Sequence, residues 1–420
     1  MLTSVVLICY HHKTILTTGV KQMSHNKRIT ENSSIIQYLL KLNFALYFTK
    51  PVIRHIVEFI IAATQKGYSG TVTDIVNLSF ANCHRTTFGK FLSQGVWNIE
   101  YAWRAIRREV IRIIFELSQT RKKPIFVIFD DTIAEKTKPS LQAKHSIQAT
   151  GYHQSHLKGK QVWGHQLLVM MLSCGKVVLP YYIERYEKGG KSKIERICEM
   201  VSMLPTPKGP AYGLCDSWYI NEKVINAHLK KGYHLIGALK TNRIIYPQGI
   251  RIQIKDFAKY IGKSEVHLVT VNGSRYWIYR YEGALNGIDN AVVLMCWPEK
   301  AFNNQKALHA FICTDTELNT ETILNYYSQR WPIEIFFRQT KNNLGLNTYQ
   351  VRSTKSIDRL LCLISLTYLY CTTSSDKYYK FGQGIIIARK EVQKQRIQWI
   401  YEQAKNDVSI DEILGQLKLA

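Results

Sequence analysis

Residues 124–132 read PIFVIFDDT, and no other stretch restricts the fold so tightly. The apolar run Ile125–Phe129 leaves no polar face, so a strand made from it must be covered on both sides. It stops abruptly at two carboxylates and a Thr. A covered strand with acids at its C-terminal end predicts an α/β fold, in which sites gather at that rim.

The flanks fit such a core. Upstream, residues 35–118 place apolar side chains at helical spacing in IIQYLLKLNFALYF, IRHIVEFIIAA and EYAWRAIRREVIRIIFEL. Between these lies TVTDIVNLSFANCHRTTFGKFLSQGVW (71–97), which predicts two short helices around a turn near Asn82–Arg85. That is either a helix-turn-helix DNA reader or plain bundle packing. The basic run RAIRREVIR (104–112) either follows DNA or is the wet face of a helix.

Downstream, a basic loop rich in His and Gly is expected over 136–160. VWGHQLLVMML and KVVLPYYIERY predict a strand pair turning at Cys174–Gly175, and KIERICEMVSML predicts a helix. AYGLCDSWY is a strand that again ends in Asp, and HLIGALKTN is another strand. Residues 250–300 alternate around Asn272–Gly273 and read as β-rich. HAFICTD (309–315) precedes a helix capped by Asn319 or Thr320, and the tail 375–420 is polar and helical.

Charge narrows the partners. Lys and Arg number 56 against 31 Asp and Glu, a formal net charge of +25. This excess predicts a polyanion, nucleic acid before membrane. The nine Cys form no CxxC and mostly sit in apolar runs, which reads as a reduced compartment without disulfides or zinc. His145, His153, His156 and His165 lack the acid or thiol that would complete a tetrahedral set. The N-terminal apolar run is too short for a convincing signal peptide. LLCLISLTYLYC (360–371) is about half a membrane span, so a cytoplasmic protein is expected.

Strands of one sheet that end in Asp can bring those acids together. The candidates are Asp130 or Asp131, then Asp216, with Glu334 supplied by a helix packed on the sheet. Such an oxygen-only set suits Mg²⁺ or Mn²⁺. Two ions about 4 Å apart are the standard device for in-line attack on a phosphodiester. Glu334 lies in YYSQRWPIEIFFRQTK (326–341). At helical pitch Tyr327, Arg330 and Lys341 fall within roughly 40° of Glu334, a face suited to DNA phosphates. Pro332 either bends this helix or starts a new one. Lys158 and Lys160, in the basic loop, are further phosphate partners.

The spacing Tyr327-x2-Arg330-x3-Glu334-x6-Lys341, with FDDT and CDSWY before it, resembles the YREK signature of DDE transposases of bacterial insertion-sequence family 4. The resemblance covers roughly residues 70–372. It implies an RNase H-like catalytic core with a β-rich insertion, preceded by an α-helical N-terminal domain. The expected division is an ill-defined segment 1–34, a helical DNA-binding domain 35–120, and a first core part 121–249. An insertion 250–305, a second core part 306–372 and a helical tail 373–420 follow. The resemblance implies catalytic and metal-binding roles for Asp130, Asp216 and Glu334, with Asp131 a rival for Asp130. It implies contacts from Tyr327, Arg330 and Lys341 to transposon-end phosphates. The implied partners are the terminal inverted repeats, target DNA and a second copy in a synaptic homodimer. Two alternatives stand beside it: an RNase H-fold nuclease without strand transfer, and an inactive DNA-binding relic.

Overall fold

The computed structural model describes residues 33–79, 83–155, 158–375 and 377–417. The expected segment 1–34, Asn82 of the expected turn and His156 lie wholly or almost wholly outside the described residues. Among the described residues five α-helices come first: α1 (Ser34–Lys41), α2 (Lys50–Thr64), α3 (Val72–Leu78), α4 (Arg85–Ser93) and α5 (Ile99–Arg121). Ser33, Thr71, His84 and Asn98 each accept a backbone N–H from the first turn of the helix they precede. These caps fix where the helices start.

The α/β part follows. Its elements are β1 (Ile125–Glu135), β2 (Gly151–Ser155), β3 (Lys160–Cys174), β4 (Val177–Tyr186), α6 (Lys193–Ser202), β5 (Ala211–Cys215), α7 (Glu222–Lys230) and β6 (His234–Leu239). Next come β7 (Ile244–Ile245), β8 (Ile252–Gln253), α8 (Ile254–Phe257), β9 (His267–Val271), β10 (Ser274–Leu285), β11 (Ile288–Pro298) and β12 (His309–Cys313). The chain closes with α9 (Thr320–Ser328), α10 (Pro332–Asn343), α11 (Thr354–Thr373), α12 (Phe381–Lys405) and α13 (Ile410–Leu417). The region expected as one loop over 136–160 ends earlier, because β2 pairs with β3 from Gly151 onward.

A single mixed sheet runs in the order β2-β3-β1-β5-β6-β12-β11-β10-β7-β8, with β4 added to β3 and β9 to β10. β1, β5 and β6 are parallel neighbours; β3, β4 and β12 run antiparallel to the strands they join. The β-rich segment is not detached from this sheet. Its long strands β10 and β11 continue it through β12. Asn272 and Gly273 both have positive φ, 48° and 80°, the backbone that a tight hairpin between β9 and β10 requires.

The alternation of β1 separates two faces. Phe126 packs on Tyr326 of α9, whereas Phe129 packs on Tyr219 and on His228 of α7. Helices α5, α10 and α11 cover the first face, and α6 and α7 the second. Apolar β1 is therefore buried on both sides, as its composition requires.

The helices at the two ends of the chain are joined. α11 is buried along nearly its whole length and meets β4, α2, α4, α5 and α12. Within the basic run 104–112, Arg104 and Arg107 bond Glu100, Arg112 bonds Glu109 and Glu116, and Arg108 bonds the Leu42 carbonyl. Much of that positive charge is thus used inside the helical layer. Gly384 of α12 lies so close to α11 that a Cβ there would stand 1.7 Å from the Cys371 carbonyl oxygen. Gly384→Ala is expected to cost at least about 1–3 kcal/mol, because backbone cannot step aside as a side chain does. A lowered thermal midpoint checks this. Among the described residues no helix is long and apolar enough to cross a membrane.

Candidate active site: carboxylates at the rim of the sheet

β1 and β5 run parallel with Ile128 opposite Leu214. Past the last pair the same offset carries Asp130 and Asp216, the residue after β5, to one rim, close enough for the charge of Asp216 to act on Asp130. Asp130 accepts the Asp131 backbone N–H at 2.8 Å and an Arg330 Nη1–H at 2.8 Å. Asp216 accepts the Trp218 backbone N–H at 2.9 Å, which turns the chain sharply after β5.

The helix expected over 326–341 is two helices. Arg330 N donates to Tyr327 O, Ile333 N to Arg330 O and Glu334 N to Trp331 O, all three-residue spacings that tighten the backbone between α9 and α10. Pro332 is the first residue of α10, where its missing N–H costs nothing. The one-face projection is therefore replaced by a junction. Arg330 sits in it and bridges Asp130 at 2.8 Å and Glu334, through Nη2, at 3.4 Å. The Glu334 side chain remains 37% exposed.

Burial raises the Asp130 carboxyl to a pKa of about 7, helped by the charge of Asp216 and opposed by Arg330. Arg330 loses hydration on burial, yet Tyr327 and the carboxylates of Asp130, Glu334 and Asp216 hold its guanidinium above its ordinary value. Tyr327 packs its ring on Phe311, with centroids 4.8 Å apart. Burial pushes its phenol up to about 12. It stands as a neutral neighbour of Arg330 more than as an open surface group. Lys341 donates to Thr132 Oγ1 at 2.7 Å, and its burial lowers its pKa. Lys158 is exposed and pairs with Glu135 at 2.7 Å; Lys160 is exposed at the start of β3.

Asp131 points to the other face. Tyr219 OH and Gln166 Nε2–H donate to it, and Lys193 Nζ lies 3.1 Å away. Adjacent carboxylates thus serve opposite sides of one strand, and the side bearing Asp216, Arg330 and Glu334 belongs to Asp130. Gln166, Lys193 and Tyr219 carry no sequence signal tying them to this rim, since each becomes a partner only through β3, α6 and the turn after β5. Trp218 is 42% exposed next to the site, with Lys193 Nζ 4.4 Å from its ring centroid.

Among the described residues, His145, His153 and His165 belong to no group of three metal-ligating side chains. His165 is buried, with Nδ1 against Tyr349 OH at 2.7 Å and Nε2 against Gln148 O at 2.8 Å. Lys136 lies 3.5 Å from the Tyr349 ring centroid and donates to Asn347 O at 2.6 Å. Together they tie the loop after β1 to the segment after α10. Trp297 is fully buried and belongs to the core.

Residues 121–370 match the family described as Transposase DDE domain, which is more than half of the 420 residues. The chain belongs to the transposase DDE domain family. No curated protein matches it. The DDE domain begins just before β1 and ends inside α11, so it spans the whole sheet and the carboxylate rim. Transposases of this family act on DNA and generally use divalent metal ions.

The raised Asp130 pKa has a consequence for the stability of the metal-free DDE domain. A carboxyl whose folded pKa of about 7 exceeds its ordinary 3.8 contributes stability that is full below 3.8. That contribution is lost as pH rises through about 7. Asp130→Asn is expected to remove this loss and to raise the thermal midpoint of chelator-treated protein on the alkaline side. Unfolding scans on both sides of that pKa check it.

Proposed function

We propose that this transposase cuts DNA at the ends of its element and joins the freed 3′-OH to target DNA. One observation carries the reading: Asp130 on β1 and Asp216 just past the end of parallel β5 lie close enough for the Asp216 charge to act on Asp130, and Arg330 links Asp130 to Glu334. We read the sheet, with antiparallel β3 and β4 beside parallel β1, β5 and β6, as an RNase H-like core. Residues 250–305 are its β-rich insertion, and 35–120 the helical DNA-binding part. The spacing of Tyr327, Arg330, Glu334 and Lys341 supports insertion-sequence family 4.

The donor set fits a divalent metal. It is all oxygen, and burial, with the charge of Asp216 beside it, disfavours the Asp130 carboxylate, a cost that a bound cation would offset. Asp130, Asp216 and Glu334 would hold two Mg²⁺ or Mn²⁺ ions. Bound there, the ions supply activation of the attacking oxygen and stabilisation of the leaving one. The side chains do the rest. Arg330 neutralises Asp130 and Glu334 until DNA arrives, then offers its planar fork to a phosphate. Tyr327 keeps that guanidinium in place. Lys341, Lys158 and Lys160 grip phosphates along the same rim.

The combined variant Lys158→Ala/Lys341→Ala is expected to weaken binding of any duplex. It should also lower the slope of log K against log salt by about two, one per lost phosphate contact. Binding titrations at several salt concentrations check it.

The deciding experiment incubates the full chain with labelled end fragments, a target plasmid and Mg²⁺ or Mn²⁺. The expected product is an end joined to target through its 3′ strand, formed by a synaptic homodimer. Cleavage without joining would leave a nuclease, and end binding without cleavage an inactive relic.

A further inference from the structure

We propose a zinc site in the helical layer ahead of the DDE domain, formed by His55, Glu58 and Cys83. One ligand atom from each of the three lies within 4.8 Å of the others. His55 and Glu58 are three residues apart on α2 and so share a face. His55 Nδ1 is 2.8 Å from Glu58 Oε2. Cys83, just before α4, is in no disulfide.

The environment favours a metal over a bare hydrogen bond. His55 and Glu58 are 8% and 3% exposed. A carboxylate buried so deeply needs a compensating charge. His55 supplies one only when it carries a second proton, and Arg54 stands 3.8 Å off with its own side chain 57% exposed, which makes it a weak partner. Zn²⁺ with one carboxylate, one thiolate and a neutral imidazole is uncharged overall, the form that burial tolerates best. Thiolate and imidazole also exclude the Mg²⁺ or Mn²⁺ suited to the DDE carboxylates. The His55 ring is flanked by Phe88 and Phe91, with centroids 5.7 and 4.9 Å away, an apolar wall that orients it and keeps water out. The absence of CxxC argued against zinc in the sequence. The ligand pattern is instead a His-x2-Glu pair met by a thiol from the next helical corner.

Binding displaces the thiol proton of Cys83 to solvent, together with any proton shared between His55 and Glu58. The bound metal would tie the start of α4 to α2, within the stretch whose spacing suggests a DNA reader.

The test uses metal-stripped full-length protein titrated with Zn²⁺, and with Co²⁺ as an optical probe. The expected result is one tightly held Zn²⁺ per chain, a rise in the thermal midpoint, and a thiolate-to-cobalt absorption band. Asp130→Asn and Glu334→Gln should leave all three unchanged, which separates this site from the carboxylate rim. Cys83→Ser should abolish the band, and both it and His55→Gln should weaken Zn²⁺ at least ~10-fold. Cys83 is half-exposed, so its serine variant keeps the fold, and circular dichroism verifies that. Zinc uptake that is absent in the wild type, or unchanged in both ligand variants, would overturn the site.

Discussion

Asp130→Asn, Asp216→Asn and Glu334→Gln are each expected to cut end cleavage in Mg²⁺ by more than ~100-fold, since loss of groups that merely orient metal ligands already costs ~10–100-fold. Each amide keeps the size and most hydrogen bonds of the acid it replaces. What disappears is one negative charge. Fold and end binding should therefore survive, and binding should tighten slightly because less negative charge faces the phosphates. Asp131→Asn makes the internal comparison. It loosens Lys193 and Tyr219 on the opposite face and lowers the thermal midpoint, but it leaves the rim intact. Its cleavage rate should stay within about 10-fold of wild type under folded conditions, the lower end of the same scale. Gel-based cleavage, a filter-binding assay and a melting curve for each variant measure the three effects. If Asp131→Asn abolished cleavage at an unchanged melting point, the two neighbours would have to exchange roles.

The pair Asp130 and Asp131 also shows what local sequence leaves open. PIFVIFDDT announces a covered strand ending in acid, since composition alone excludes a wet face there. It does not say which of two adjacent acids faces Glu334, because that depends on which helices cover which side of β1. The hairpin at Asn272–Gly273 was legible, since only certain residues accept its backbone. The union of β10 and β11 with the main sheet was not, because it depends on β12 pairing with β6 over a long separation. Pro332 signalled an interruption, and local sterics allowed a start as well as a bend. The tight turn around Arg330 resolved it as a start and, in doing so, aimed Arg330 at Asp130.

Arg359 was invisible for the same reason of distance, and its replacement carries the second large effect. In sequence it looks like an ordinary helix charge in SIDRLL. In the fold it is 3% exposed. Its Nη1 donates to Phe91 O and Leu92 O at 3.2 and 2.9 Å. Its Nη2 donates to Gly95 O and Trp97 O at 2.8 and 2.5 Å. The Trp97 ring centroid lies 4.3 Å from its guanidinium carbon. Two of these carbonyls end α4 and two belong to the turn that follows, acceptors that no helix bond can satisfy. No carboxylate is among the partners, so the negative end of the α4 dipole and the four oxygens together balance the charge. Phe91 O and Gly95 O keep the Trp97 Nε1–H and N–H, but Arg359→Leu strands Leu92 O and Trp97 O in an apolar setting and is expected to cost about 2–6 kcal/mol, ~1–3 for each unsatisfied buried acceptor. Arg359→Lys should fall between, because a compact ammonium cannot reach two pairs of carbonyls as a flat fork does. Denaturant unfolding of the three proteins ranks them. The loss is concentrated where α4 meets α11, which joins the helical layer to the DDE domain. A partly unfolded intermediate with an intact sheet is therefore the expected signature of the Leu variant, and end-specific DNA binding should fall before non-specific binding does.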